Sequence, residues 1–230
     1  MEIFKKVSEE LFGNEFLCMI SSNGITLVAK DNSKAFCFGL VSDAGFFRIR
    51  EMVYAIKRFE VVEAILQPLL EKYEIPQCDR EMKEYGIDFN GTIRKRMSLK
   101  DIPVVNSLLY GMAPIDGADE EQIRTVLTVL KKAIGYLETE FIDRYKTVRR
   151  VYYGQEEMTT NELDRFFTSP YAIRKLVIEA LCYPAKDPDS IFEKLLTDYE
   201  EVETELPGMY KEHYLVTLEL LRYFREQKKV

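Results

Sequence analysis

Apolar positions follow two regimes along this chain of 230 residues. Near the N-terminus short apolar runs alternate with turn residues, whereas further on apolar residues recur every three or four positions over long stretches. Ile3, Val7 and Leu11 lie four apart, with Lys5, Lys6, Glu9 and Glu10 elsewhere, which predicts an amphipathic helix over 2–12 stopped by Gly13-Asn14. Three apolar runs follow, at 16–20, 25–30 and 35–41, separated by Ser21-Ser22-Asn23-Gly24 and by Asp31-Asn32-Ser33-Lys34. Asn-Gly is a strong hairpin signal because both residues tolerate positive φ, so the runs predict a three-stranded antiparallel meander.

The third run is apolar on both faces. Phe36, Phe38 and Leu40 share one face, and Ala35, Cys37, Gly39 and Val41 the other, so a layer is expected on each side. The small residues of the second face let a helix backbone approach closely, and Gly39 alternatively marks a bulge or the close approach of a ligand. After the turn at Ser42-Asp43-Ala44-Gly45, residues 46–49 read as a fourth strand or as the first turn of a helix. From Arg50 the stripe Met52, Ile56, Phe59, Val62, Leu66, Leu69 and Tyr73 predicts a helix to residue 73, laid on the Ala35/Cys37 face and kinked or restarted at Pro68. Residues 87–93 suggest a hairpin around Asn90-Gly91, and Asp101-Ile102-Pro103 opens a short helix carrying Val104, Val105, Leu108 and Leu109. Gly111 to Gly117 is the best boundary.

Beyond it the pattern is helical. Ile123, Val126, Leu130, Ile134, Leu137, Phe141 and Tyr145 hold helical register over about 27 residues, roughly 40 Å. Residues 148–153 read as a strand or a frayed end. Capping signals at Thr159-Glu162, Ser169-Pro170 and Asp187-Pro188 predict helices over 161–168, 170–183 and 188–204, and a last one over 208–226 follows Pro207-Gly208. The fold class is therefore α+β: a small antiparallel meander of three to five strands packed by helices, then an α-helical C-terminal half. The division is residues 1–111 and 118–230, as two regions or one interlocked unit.

Composition narrows the function classes. The 47% hydrophobic and 31% charged fractions are those of a globular protein, and no apolar run reaches the roughly 18 residues of a membrane span, so a soluble, cytoplasmic protein without a membrane partner is expected. Cys18, Cys37, Cys78 and Cys182 form no paired motif and read as reduced thiols, and a single histidine, His213, leaves no zinc site. Phosphate-cradling, calcium, zinc-hydrolase and serine-hydrolase signatures are all missing, so no cofactor or metal is expected. The net charge of −7 is uneven: residues 151–230 carry 16 acidic and 10 basic side chains.

Three sets of residues carry candidate chemistry. The acidic run Asp198-Tyr-Glu200-Glu201-Val-Glu203-Thr-Glu205 is the densest charge feature, and Glu200, Glu201, Glu203 and Glu205 read either as a solvated helix end or as a docking face for a basic protein partner. Two basic clusters, Arg94, Lys95, Arg96 with Lys100 and Arg144, Lys146, Arg149, Arg150 beside Tyr152 and Tyr153, read as anion-binding groups or as solvated helix-end cations. Tyr54, Tyr85, Tyr110, Tyr152 and Tyr153 fall off the apolar stripes and read as exposed aromatic contacts. The leading function is a non-enzymatic interaction module of the regulator, adaptor or toxin-neutralising type using the acidic C-terminal surface. An enzyme or ligand-binding domain using Asp43, Tyr85, Asp88 or His213 is the alternative, and nucleic-acid binding through the basic clusters ranks third.

Overall fold

The computed structural model describes residues 2–77, 83, 86–87, 89–103, 105 and 114–228. Cys78, Tyr85, Asp88, Tyr110, the core of the helix expected after Asp101 and residues 111–113 of the Gly111 to Gly117 boundary lie outside them. Two compact units emerge: Met1–Arg58 with Cys78–Arg144, and Phe59–Gln77 with Tyr145–Val230.

In the first unit helix α1 (Glu2–Phe12) precedes strands β1 (Phe16–Ile20), β2 (Gly24–Ala29), β3 (Lys34–Asp43) and β4 (Phe46–Lys57). These join β5 (Ile93–Ser98) in one antiparallel sheet of order β1-β2-β3-β4-β5, with the two-residue β6 (Ile115–Asp116) on β4. The first turn closes by a bond from the Ser21 amide to the Gly24 carbonyl, so Ser22 and Asn23 are its central pair and Gly24 its last residue. Positive φ is used instead at the β3–β4 hairpin, where Ala44 (46°) and Gly45 (90°) link paired Asp43 and Phe46. Both signs match the primed turn that suits the twist of the strands. The register shift between Phe38 and Leu40 puts the bulge on β4, where Arg50, Glu51 and Met52 face Gly39 alone, while Gly39 keeps regular register with Gly24 of β2.

β4 corrects the helix expected from Arg50. Met52, Ile56 and Phe59 fit a helical stripe, but Val53, Tyr54 and Ala55 between them are equally buried, which a one-sided helix does not produce. A β-branched and aromatic run covered on both faces is a central strand, and periodicity alone cannot separate the two. Tyr54, expected to be exposed, is thus 1% exposed.

The layers follow the alternation of β3. Phe36, Phe38 and Leu40 are buried on the face carrying Phe16 and Phe47, where Phe4 of α1 meets Phe47 at 5.7 Å and Phe16 meets Phe36 edge-on at 5.9 Å. The Cys18 thiol on that face reaches the Ser8 carbonyl of α1 at 3.6 Å. The N-terminal helix is therefore the cover of this face. On the opposite face Ala35 and Cys37 pack with Val28, Tyr54, Ile56, Ile87 and Phe89, so Ile87 and Phe89 take the place expected for a helix. The hairpin expected around Asn90-Gly91 is not formed: β5 begins at Ile93 and pairs with β4. Ser98 caps the short 3-10 turn Leu99–Asp101 by accepting from the Lys100 amide.

Helix α3 (Glu120–Leu137) packs on α1 within this unit. Asp119 caps it by accepting from the Gln122 amide, and the regular helix ends in a π turn, Glu138–Ile142, short of the length expected. Arg124 bridges Glu10 of α1 (2.6 Å) and Glu120 (3.1 Å), and Lys131 holds the Leu11 carbonyl at 3.0 Å, a polar rim along the α1–α3 seam.

The second unit is all-helical: α2 (Glu60–Lys72), α4 (Val148–Gln155), α5 (Thr160–Phe166), α6 (Tyr171–Cys182), α7 (Pro188–Glu205) and α8 (Lys211–Gln227). Residues 148–155 are helix rather than strand, capped by the Thr147 hydroxyl, and the Thr159–Glu162 capping box is complete. α2 runs through Pro68 without restarting. Val62, Leu66 and Leu70 of α2 join Ile173, Val177, Ile191, Phe192, Val216, Leu220 and Phe224 among the buried residues. Phe192 and Phe224 stack at 5.8 Å between α7 and α8, while Lys72 and Tyr73 tie α2 to Glu219 of α8 at 2.6 and 2.5 Å.

α2 ends in a Schellman motif. The Ile75 amide bonds the Leu70 carbonyl, the Glu74 amide bonds the Glu71 carbonyl, and Glu74 takes the left-handed position at φ 54°. A side chain there is strained, and glycine is the residue that fits. Glu74→Gly is expected to raise stability by about 0.5–1 kcal/mol, read as a higher urea midpoint; a lower midpoint contradicts the assignment.

Candidate functional site

The acidic run lies on the last two turns of α7 and ends in the exposed loop 206–210. Pro207 cannot continue the helix, and Gly208 turns the chain back at φ 82° toward α8. Glu200, Glu201, Glu203 and Glu205 are all exposed. Two of them are held. Tyr214 donates its hydroxyl to Glu200 at 2.9 Å, which pushes the phenol above its ordinary pKa, and the Gly208 amide donates to both carboxylate oxygens of Glu203 at 2.9 Å. Glu201 and Glu205 are one helical turn apart on the same side.

Leu206 and Met209 lie just beyond the acidic run. They are 53% and 56% exposed, among the most exposed large hydrophobic residues described, and they sit at the tip of the carboxylate cluster. Behind them Tyr199 stacks on Tyr210 at 5.6 Å, and His213 meets Tyr210 edge-on at 5.5 Å. Burial raises the Tyr199 phenol and lowers the His213 imidazole, so the imidazole is held neutral below the pH at which a free histidine loses its charge. The tip carries an exposed apolar pair next in sequence to exposed carboxylates, beside the Tyr199–Tyr210 stack.

The basic candidates are divided between the two units. On β5 the alternation puts Arg94, which is buried, and Arg96 on one face and Lys95 on the other. Arg144 closes the first unit, and Arg149 and Arg150 occupy the first turns of α4 in the second. Arg149 lies over the Tyr153 ring, 5.8 Å from its centroid. Of the residues considered for an enzyme, Asp43 edges a cavity of about 310 Å3 with Val41, Ala44, Phe46, Arg48 and Pro114 in the first unit, His213 belongs to the second, and Tyr85 and Asp88 lie outside the described residues. Among the described residues no cluster of histidine, cysteine and carboxylate side chains could hold a metal ion, and no helix is long and apolar enough to cross a membrane.

Two features escaped the sequence reading. Glu63 and Arg174 form a fully buried ion pair in the second unit, with Nε–Oε1 3.1 Å and Nη2–Oε2 3.0 Å. Each reads from sequence as a polar position on a helix, and no spacing links residues 111 apart. The second is the contact of Tyr152 with Tyr183 at 4.9 Å, which adds a third ring to the Tyr152-Tyr153 pair.

The chain matches no family model, no curated protein and no solved structure.

Proposed function

We propose that the protein is a non-enzymatic interaction module, of the regulator, adaptor or toxin-neutralising type, that captures a basic protein partner on the α7 tip. The observation that carries this reading is the pairing of exposed Leu206 and Met209 with Glu200, Glu201, Glu203 and Glu205. Apolar side chains at the centre of a patch supply the burial that holds a complex, and a ring of one charge sets the sign of the partner and speeds the encounter. The partner is a segment with lysines or arginines flanking an apolar anchor. The excess of acidic residues over the last third of the chain extends the attractive field beyond the tip. We place this activity in the cytoplasm, a reducing compartment that suits the free thiols Cys18 and Cys182.

A photoreactive residue placed at Met209 in the native cell, with one at exposed Lys132 on α3 as control, tests the reading. One abundant adduct is expected from position 209 and none from 132, and the adduct is expected to disappear when the four glutamates are changed to glutamine. No adduct at 209, or the same adducts at both positions, contradicts it.

A further inference from the structure

Strand β1 is one edge of the sheet in the first unit, paired on its inner side with β2. The Ser21 amide bonds the Gly24 carbonyl, and the Lys30 amide bonds the Glu15 carbonyl. Alternation along an antiparallel ladder then gives the inward groups to Glu15, Leu17, Met19 and Ser21. Phe16, Cys18 and Ile20 turn their amides and carbonyls outward, and none of the three has another backbone partner among the described residues. A row of free backbone donors and acceptors is a template for a further strand.

Proteins block such a template with charges, prolines or bulges. β1 has none of these: it reads Phe-Leu-Cys-Met-Ile, and its register with β2 is unbroken. The opposite edge, β5, carries Arg94, Lys95 and Arg96, so pairing two copies along β5 would set cation against cation. On β1 the Cys18 thiol faces α1, which puts Leu17 and Met19 on the other face, 57% and 45% exposed.

The strand is complementary to itself. With an antiparallel two-fold axis through Cys18, Cys18 meets the second copy's Cys18 and Phe16 meets its Ile20, so every outward residue exchanges both of its bonds. Leu17 falls opposite the second copy's Met19 at a non-hydrogen-bonded position, where side chains approach most closely. Glu15 faces the uncharged Ser21, so no like charges meet along the ladder. An axis through Phe16 or Ile20 would set Cys18 against Asn14 or Ser22, both outside the strand.

We propose that the protein self-associates through β1, two copies joining their sheets across an antiparallel β1–β1 ladder. The contact is a closed two-fold one, and with the β5 edge charged the assembly stops at the dimer. A ladder of five residues with two apolar crossings is a small interface, for which a dissociation constant of about 1–100 µM is expected. β1 belongs to the first unit and the α7 tip to the second, so the two proposals are tested separately.

Sedimentation equilibrium of the full chain from about 1 to 500 µM reads the dimer directly. The mean mass is expected to rise from 26.9 kDa toward twice that value and no further. Leu17→Lys with Met19→Lys sets lysine against lysine at both crossings and is expected to weaken the dimer at least about tenfold. Val61→Lys, at a position 59% exposed on α2, is expected to leave it unchanged. The substituted side chains face water, and an unchanged urea midpoint shows that the fold is kept. In amide exchange followed by NMR at about 500 µM, the outward amides of Phe16, Cys18 and Ile20 are expected to exchange at least about tenfold slower in the parent than in the double-lysine variant, with Leu17 and Met19 protected in both. A mass that stays at 26.9 kDa, growth past the dimer, a dimer that survives the two lysines, or equal exchange of the three outward amides overturns the proposal.

Discussion

Glu63→Gln is expected to cost about 3–5 kcal/mol of stability, the largest effect of any single substitution considered. Both side chains of the Glu63–Arg174 pair have no exposure, and the contact is a two-pronged fork between guanidinium and carboxylate. Arg174 also donates to the Thr168 carbonyl at 3.3 Å and to the Ser169 carbonyl. A neutral glutamine fills nearly the same volume but leaves a cation in an apolar interior with only neutral partners, and that asymmetry makes the cost large. The pair joins α2 to α6, so the loss should appear as a lower urea midpoint for the transition of the helical unit. Replacing both residues, as Glu63→Leu with Arg174→Met, removes the stranded charge and is expected to recover most of the loss. Recovery falls short by about 1–3 kcal/mol because the Thr168 and Ser169 carbonyls lose their donor. A single variant within about 1 kcal/mol of the parent would show that the pair is not sealed from water.

The second large effect concerns binding rather than folding. Leu206→Ser with Met209→Ser is expected to weaken the complex by about 2–3 kcal/mol, roughly 30- to 150-fold, if each half-exposed side chain is covered by the partner. The effect belongs in the dissociation rate, because apolar contacts form after encounter and mutants of one interface differ chiefly in how fast they come apart. The stability of the free protein should not change, since both side chains already face water. Parent-like dissociation would move the binding surface elsewhere.

The sequence disclosed the fold where one physical signal acted alone. Helix α1 and strand β1 have the predicted bounds, and the Thr159 box and the Asp187-Pro188 start of α7 stand where capping chemistry put them. It misled where two signals coincided. Residues 52–56 are apolar on both faces, so their periodicity fitted a helix as well as a buried strand, and only the β-branched and aromatic run Val53-Tyr54 argued for the latter. What covers each face of β3 was illegible because it depends on long-range contact: Phe4 and Phe47 are far apart in the chain, as are Cys37 and Phe89. Of the candidate site, the carboxylates were legible as a charge run. Leu206 and Met209 were not, because a lone leucine and methionine beside Pro207-Gly208 read as loop residues until their exposure is known. The ring contact of Tyr183 with Tyr152 likewise comes only from the packing of α4 on α6.

Recruitment of a basic partner by the carboxylates of α7 is measured most directly by stopped-flow capture of the partner crosslinked at Met209. With Glu200, Glu201, Glu203 and Glu205 all changed to glutamine, the association rate at low ionic strength is expected to fall about 10- to 100-fold, and the rate of the parent protein to fall steeply as salt is added. An association rate that is unchanged by the four substitutions and flat in salt would contradict the account.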